Sequence, residues 1–264
     1  MRNILRRLAA RHRTFLIAST LVLGGFQLVI CAIVGSVDLG TAFEQIRAFA
    51  PPALLPLIEQ SMVGSPEGML AFGWNHPITH ALVTAVSISL AARAIAGEVE
   101  NGAIELILAQ PISRARYFTA HATFGIGAIT FITLSGIIGS VIGRQLFDLS
   151  PIGIADAWHL AANLLLLQGS IYSLTLLLSA FGRENGQVAL GGVLLAVVSY
   201  LIEVISSMWT KAAFLHPYAL HSYFNPRRIL TEGQIPAASV PVLTAFILIT
   251  GAAAFVRFSR RDLP

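Results

Sequence analysis

The sequence predicts an all-α membrane protein with six transmembrane helices, both termini in the cytoplasm, and a single transmembrane domain over residues 1–264. Three observations carry that prediction. Of the 264 residues, 55% are hydrophobic and only 11% are charged, against roughly 25% charged in a soluble domain, and mean hydropathy is +0.75. Six stretches are apolar over about 20 residues, the length a helix needs to cross a hydrocarbon core where no water can satisfy exposed backbone groups. The basic residues gather at the ends of these stretches. So many apolar residues exceed what one core can bury, and the surplus must face lipid.

The elements follow in order. Residues 1–14 place Ile4 and Leu8, with Phe15 beyond them, at helical spacing among arginines, a pattern that suits an amphipathic helix in the cytoplasmic interface near anionic headgroups or, on the plainer reading, a disordered basic tail. The first span covers 15–37. Its 23 residues exceed the 7–15 of a signal-peptide core, so a retained helix is expected. Residues 38–76 form an outer connection. Phe43, Ile46 and Phe49 precede Pro51, Pro52, Leu54, Leu55, Pro56, Leu57 and Ile58, and the prolines argue for short interfacial pieces over a long helix. The remaining spans are 77–96, 117–143, 157–181, 187–207 and 237–257. Residues 182–186 make a tight turn through Arg183 and Glu184. Residues 208–236 carry Trp209, Phe214, Tyr218, Tyr223 and Phe224, punctuated by Pro217, Pro226 and Pro236. An aromatic hairpin of re-entrant or interfacial kind is expected there, with Trp209, Tyr218 and Tyr223 as belt residues.

Charge placement orients the bundle. With the N-terminus inside, twelve basic residues fall on the cytoplasmic side and five (Arg47, Arg144, Lys211, Arg227 and Arg228) outside, as the positive-inside rule requires. In a soluble chain, a net charge of +4 and a pI near 9.7 would point to nucleic acid; here the charge is topogenic. Cys31 is the single cysteine, so an intramolecular disulfide is excluded.

The most informative connection is 97–116, GEVENGAIELILAQPISRAR. Glu98, Glu100 and Glu105 mark its first half, Ile104, Leu106, Ile107 and Leu108 an apolar patch, and Arg114 and Arg116 its end. Pro111 stops one helix, and Ser113 is placed to cap the next. As physics, this is either a short helix parallel to the membrane that docks a cytoplasmic partner, or a solvated loop whose charges keep it out of the bilayer.

The order Gly97, Glu98, Glu100, Gly102, Glu105, Leu106, Leu108, Pro111, Ser113 and Arg114, directly after the second span, resembles the permeases of the ABC transporter type-2 exporter superfamily. The ending Phe258, Ser259, Arg260, Arg261, Asp262 and Leu263 is similar to theirs, and the resemblance covers essentially the whole chain. Ala103 stands where the family usually has threonine, and His121 where lysine is common, which leaves the subfamily open. The resemblance implies a homodimer of permeases working with two copies of a cytoplasmic ATPase that binds ATP and Mg. It implies that Gly97, Glu98, Glu100, Gly102, Glu105, Leu106, Pro111, Ser113 and Arg114 couple to that ATPase, with Arg183 and Glu184 a second contact, in a multi-pass protein of the inner membrane.

No phosphate-binding loop is present in this sequence: the one lysine, Lys211, is followed by alanine. No cofactor is expected in the chain itself, and ATP hydrolysis is assigned to a partner. His76 and His80 are spaced i, i+4 but lack the intervening Glu of a zinc-enzyme helix, so a hydrated interface is expected there in place of a metal site. Gly136, Gly139 and Gly143 permit close helix approach. Glu203 lies within the fifth span, where it either reaches water or serves substrate passage; Asn163, Gln168 and Gln187 either line a path or bridge helices. Few polar groups in the spans suit an amphipathic cargo. The alternative function is a non-transporting anchor or regulatory subunit of an ATPase complex. An intramembrane enzyme lacks its acid, nucleophile and metal clusters.

Overall fold

The computed structural model describes residues 1–51, 66–108 and 112–261, and among these the chain is helical throughout, with no strand. Six helical stretches are long and apolar enough to cross a membrane. The first is α1 (Arg2–Ser36). At 1.5 Å per residue it is about 50 Å long, well beyond a hydrocarbon core of about 30 Å. The basic amphipathic start is therefore the first turns of the same helix and not a separate element. Nothing breaks it, because no proline or glycine lies between Arg2 and Phe15.

Asp38 caps α2 (Leu39–Phe49), accepting the backbone N–H groups of Gly40 and Thr41 at 3.1 and 3.2 Å. The Thr41 hydroxyl donates to the same carboxylate, and these bonds hold the Asp38 pKa below the usual carboxylate value. The expected interfacial pieces at Pro52, Leu54, Leu55, Pro56, Leu57 and Ile58 lie outside the described residues.

The second crossing is composite. It runs through α3 (Pro66–Asn75), α4 (Pro77–Ala92), a π-turn (Arg93–Gly97) and one helical turn, α5 (Glu98–Glu100). His76 separates α3 from α4 and caps the latter, its Nδ1 accepting from the Ile78 N–H at 3.2 Å. Then come α6 (Ala103–Leu108), α7 (Arg114–Leu146), α8 (Ile154–Phe181), α9 (Asn185–Met208) and, after two 3-10 turns (Thr210–Tyr218 and Leu220–Tyr223), α10 (Pro226–Glu232) and α11 (Ser239–Arg260).

Packing places α8 at the centre, against α4, α7, α9 and α11, while α1 lies along α7. The most apolar stretch of α8 is 67% buried and that of α9 only 17%, so α9 presents most of its apolar surface outward. Leu190, Leu194, Val198 and Leu201 form an exposed stripe along it. Small residues close the α1–α7 contact as expected: a Cβ on Gly139 would lie 2.1 Å from the Gly24 carbonyl oxygen, and one on Gly143 would meet Cys31.

Residues 208–236 fold as short helical turns against α9, α8 and α3. The side chain of Asn163 on α8 holds them, donating to the Tyr223 carbonyl at 2.9 Å and accepting the Asn225 N–H at 3.3 Å. Trp209 and Tyr218 are exposed at this end, while Tyr223 is half-buried. Gly233, at φ +67°, ends α10 in the left-handed conformation that glycine adopts without strain.

Candidate functional site

The segment after the second crossing joins the bundle through the π-turn. A π-turn leaves backbone groups out of the regular i→i−4 ladder; two other helices satisfy them here, and a third pairs with the side chain just beyond the turn. Ser179 on α8 does most of this: its Oγ accepts the N–H groups of Ile95 and Ala96 at 3.3 and 2.9 Å and donates to the Ala92 carbonyl at 3.0 Å. From α7, the buried Tyr117 donates its hydroxyl to the Ala94 carbonyl at 2.6 Å. From α1, Arg11 forms an ion pair with Glu98.

That last contact changes the expected picture of the acidic face. Glu98 is only 4% exposed and is turned into the bundle, because the π-turn carries it round toward α1, where a half-exposed guanidinium is available. It does not share a surface with Glu105, which is exposed on the first turn of α6. Glu100 is also exposed, and its Oε2 accepts the Asn185 N–H at 2.8 Å. This is the first orphan donor of α9, so an acid from one connection caps the helix leaving another at the same end of the bundle.

Gly97 closes the π-turn and is buried. Gly102 has φ +65°, which separates α5 from α6 by a conformation that side chains resist. Leu106 and Leu108 lie on the α6 backbone, their side chains outside the described residues, as is Pro111. Ser113 caps α7 as its sequence position predicts, its Oγ accepting the Arg116 N–H at 3.2 Å. Arg114 bridges to the chain end: one terminal nitrogen donates to the carbonyls of Phe258, Ser259 and Arg261 at 3.2, 3.1 and 2.5 Å. It thereby satisfies the free carbonyls that close α11 and sets a positive charge at the negative end of its dipole.

Arg261 continues the chain of contacts, donating to the Ala180 carbonyl at 3.1 Å. Burial pulls its pKa below the ordinary arginine value, helped by the neighbouring charges of Arg257 and Arg183. Arg183 and Glu184 are exposed, and Glu184 accepts from Gln187 at 2.6 Å. Residues 92–114, the π-turn and the segment after it, are thus tied to α1, α7, α8, α9 and α11. Of the residues that make these contacts, the sequence motif contains Glu98, Glu100, Ser113 and Arg114. Sequence reasoning did not single out Arg11, Tyr117, Ser179 or Asn185; only the closing Arg261 was flagged, as part of a similar ending.

At the other end of the bundle the three polar residues of the spans have different surroundings. Asn163 anchors the hairpin. Gln168 is buried and bridges α8 to α4, its Oε1 accepting from Thr84 and Ser87 at 3.2 and 3.3 Å. Glu203 lines a cavity. His80 does not converge with His76 on a common point: its Nε2 meets the Asn75 Oδ1 at 3.2 Å, and its ring packs on His221 with centroids 5.2 Å apart. Burial pulls the His221 pKa down to about 4.

A family model described as ABC-2 family transporter protein matches residues 7–263. A search of curated proteins returns no match.

Proposed function

The chain belongs to the ABC-2 family of transporter proteins and is a multi-pass ABC transporter permease; we propose that it carries a substrate outward across the inner membrane, as one of two permease copies driven by two copies of a separate cytoplasmic ATPase. That partner binds ATP and Mg and performs the hydrolysis. The observation that supports this reading best is the convergence on residues 92–114, the π-turn and the segment after it, of contacts from five spanning helices: Arg11 on α1, Tyr117 and Arg114 on α7, Ser179 on α8, Asn185 on α9 and the carbonyls at the end of α11. In this reading a push on α6 passes through α5 and the π-turn to these contacts, which is what re-angling spans in alternating access requires.

In this reading the roles within the segment divide. Glu105, exposed on α6, meets the ATPase. Glu100 carries the load to the 182–186 turn, where Arg183 and Glu184 form a second contact. Glu98 and Arg114 transmit within the bundle. The exposed stripe Leu190, Leu194, Val198 and Leu201 on α9 is apolar enough to face either lipid or the second permease copy.

The test is co-expression with the ATPase, purification of the complex and measurement of hydrolysis and ATP-dependent transport in vesicles. Glu105→Lys is expected to weaken ATPase capture and abolish transport while leaving the permease folded, since Glu105 is surface-exposed. Capture and transport undiminished by this variant would overturn the coupling role. Capture with hydrolysis but no transported substrate would favour an anchor or regulatory subunit.

A further inference from the structure

The end of the bundle away from segment 97–114 holds a cavity of about 430 Å³ between α3, α9, α10 and the 3-10 turns, within the size range of small-molecule sites. Glu203 lines it from α9 and Asn75 from α3, while Phe72 and Phe224 supply aromatic surface. The bond that the Ser206 hydroxyl donates at 3.1 Å goes to the Glu203 main-chain carbonyl. Among the described residues the Glu203 carboxylate itself has neither an ion-pair partner nor a hydrogen-bond donor. Arg227 lines the same cavity but already has a partner of its own. The unmatched charge is therefore the acid, and a half-buried carboxylate on a spanning helix is costly without a cation beside it.

The walls decide which kind of cation fits. Calcium takes about six to eight oxygen ligands and magnesium a near-octahedral shell. Glu203 is the one acid among the residues lining this space, and no cluster of three acidic, histidine or cysteine side chains exists among the described residues. The Asn75 Oδ1 is already taken by the His80 Nε2 at 3.2 Å, which leaves the carboxylate as the anchoring acceptor. An alkylated ammonium asks for less than a metal ion. One carboxylate balances its charge, and aromatic faces attract its alkyl shell through the cation–π effect. An anion or a zwitterion would bring a second negative group to Glu203.

We propose that this cavity binds an alkylated ammonium, its cationic nitrogen at the Glu203 carboxylate and its alkyl groups against Phe72 and Phe224. The role as a substrate site rests on the permease reading, but the binding itself does not need the ATPase.

The experiment titrates purified full-length permease in dodecyl maltoside, a micelle free of ammonium groups, at a pH near 8 where ordinary histidine is neutral. Four probes are compared by calorimetry. Tetraethylammonium is a soluble cation and dodecyltrimethylammonium a cation on a lipid-like chain; 3-ethyl-3-pentanol has similar bulk without charge, and 2,2-diethylbutanoate has the opposite charge. At least one of the two cations is expected to bind and to lose about tenfold in affinity in Glu203→Gln, a change of about 1.4 kcal/mol, while Glu203→Asp keeps most of it. The alcohol is expected not to respond to either replacement, and the anion not to bind the wild type. A response from dodecyltrimethylammonium alone assigns the ammonium to a membrane amphiphile; a response from both cations assigns it to a soluble one. Ser207→Phe, which fills the exposed rim of the cavity, is expected to weaken cation binding and serves as the second variant if Glu203→Gln misfolds. Failure of both cations to bind, or cation affinities unchanged in a folded Glu203→Gln or Ser207→Phe protein, would overturn the site. Ammonium-selective binding without ATP-dependent transport would refute the exporter reading alone; transport with a charge-blind cavity would refute the site alone.

Discussion

The Glu100 carboxylate accepts the backbone N–H of Asn185 at 2.8 Å, and this bond joins the connection after the second crossing to the turn between α8 and α9. Eighty-five residues separate the partners in sequence. The bond caps α9 with a negative charge from outside the helix and so ties that span to the segment that follows the π-turn.

Glu100→Ala removes the cap. Both groups are near solvent, so the cost in stability is small, about 1 kcal/mol or less. If the segment couples to an ATPase as proposed, the cost in function is expected to be larger, because the segment then moves without α9. A melting temperature within a few degrees of wild type, together with ATP hydrolysis no longer matched by transport, is the expected pair of readings; full transport would remove Glu100 from the coupling path.

Ser179→Ala strikes the π-turn. The N–H groups of Ile95 and Ala96 and the carbonyl of Ala92 all lose a buried partner, and the site has no water-exposed face to compensate. Destabilisation of about 2 kcal/mol is expected, the penalty typical of buried polar groups left unmet. Amide hydrogen exchange should rise specifically over residues 92–98. Unchanged protection there would mean that the turn does not depend on Ser179.

How much of this could be read beforehand depends on the range of the interaction. The spans were legible because hydrocarbon length and backbone satisfaction act locally on every stretch of about 20 residues; each of the six predicted segments has its helix. The Ser113 cap was legible for the same reason, as it bonds only three residues away. The inward turn of Glu98 was not. It follows from the π-turn, and Arg93–Gly97 contains no residue that distinguishes π from α geometry; the stabilising hydroxyl of Ser179 lies more than eighty residues on. Arg114 was recognised as important by its motif, yet its partners at 258–261 come from the opposite end of the chain, a relation that spacing cannot reveal. The polar residues Asn163 and Gln168 looked alike in sequence as inward-facing amides; only the fold separates them, as hairpin anchor and helix bridge, from Glu203 at the cavity.

Gly139→Ala tests the α1–α7 contact. The new methyl group would sit 2.1 Å from the Gly24 carbonyl oxygen, which is backbone and cannot rotate away, so the helices must separate. A loss of about 1–3 kcal/mol is expected, as for overpacked cores. Gly127→Ala on the same helix is the control: a Cβ there meets nothing within 4 Å, and alanine's better helix propensity makes the change neutral or stabilising by up to about 1 kcal/mol. Melting temperatures of the two variants should therefore move apart, and a Gly139→Ala protein as stable as Gly127→Ala would show that the two backbones are not in contact.

His221 supplies a pH dependence whose sign is fixed by its burial. Its ring is 4% exposed, its Nδ1 bonds to the Ser199 hydroxyl at 2.9 Å, and the rings of His80 and Tyr200 face it. Burial holds its folded-state pKa at about 4, against 6.5 for the free side chain. Between those values the unfolded chain binds a proton that the folded one does not, so stability falls as pH drops from 6.5 and levels off near 4. The difference amounts to about 3 kcal/mol at most. The expected result is a melting temperature that is flat above pH 7 and declines below pH 6.5. His221→Asn, which keeps a polar group facing Ser199 but cannot titrate, should lower stability at neutral pH and flatten the decline relative to wild type. If the two proteins lose stability in parallel between pH 6.5 and 4, the proton is taken up elsewhere, with the neighbouring His80 the next residue to replace.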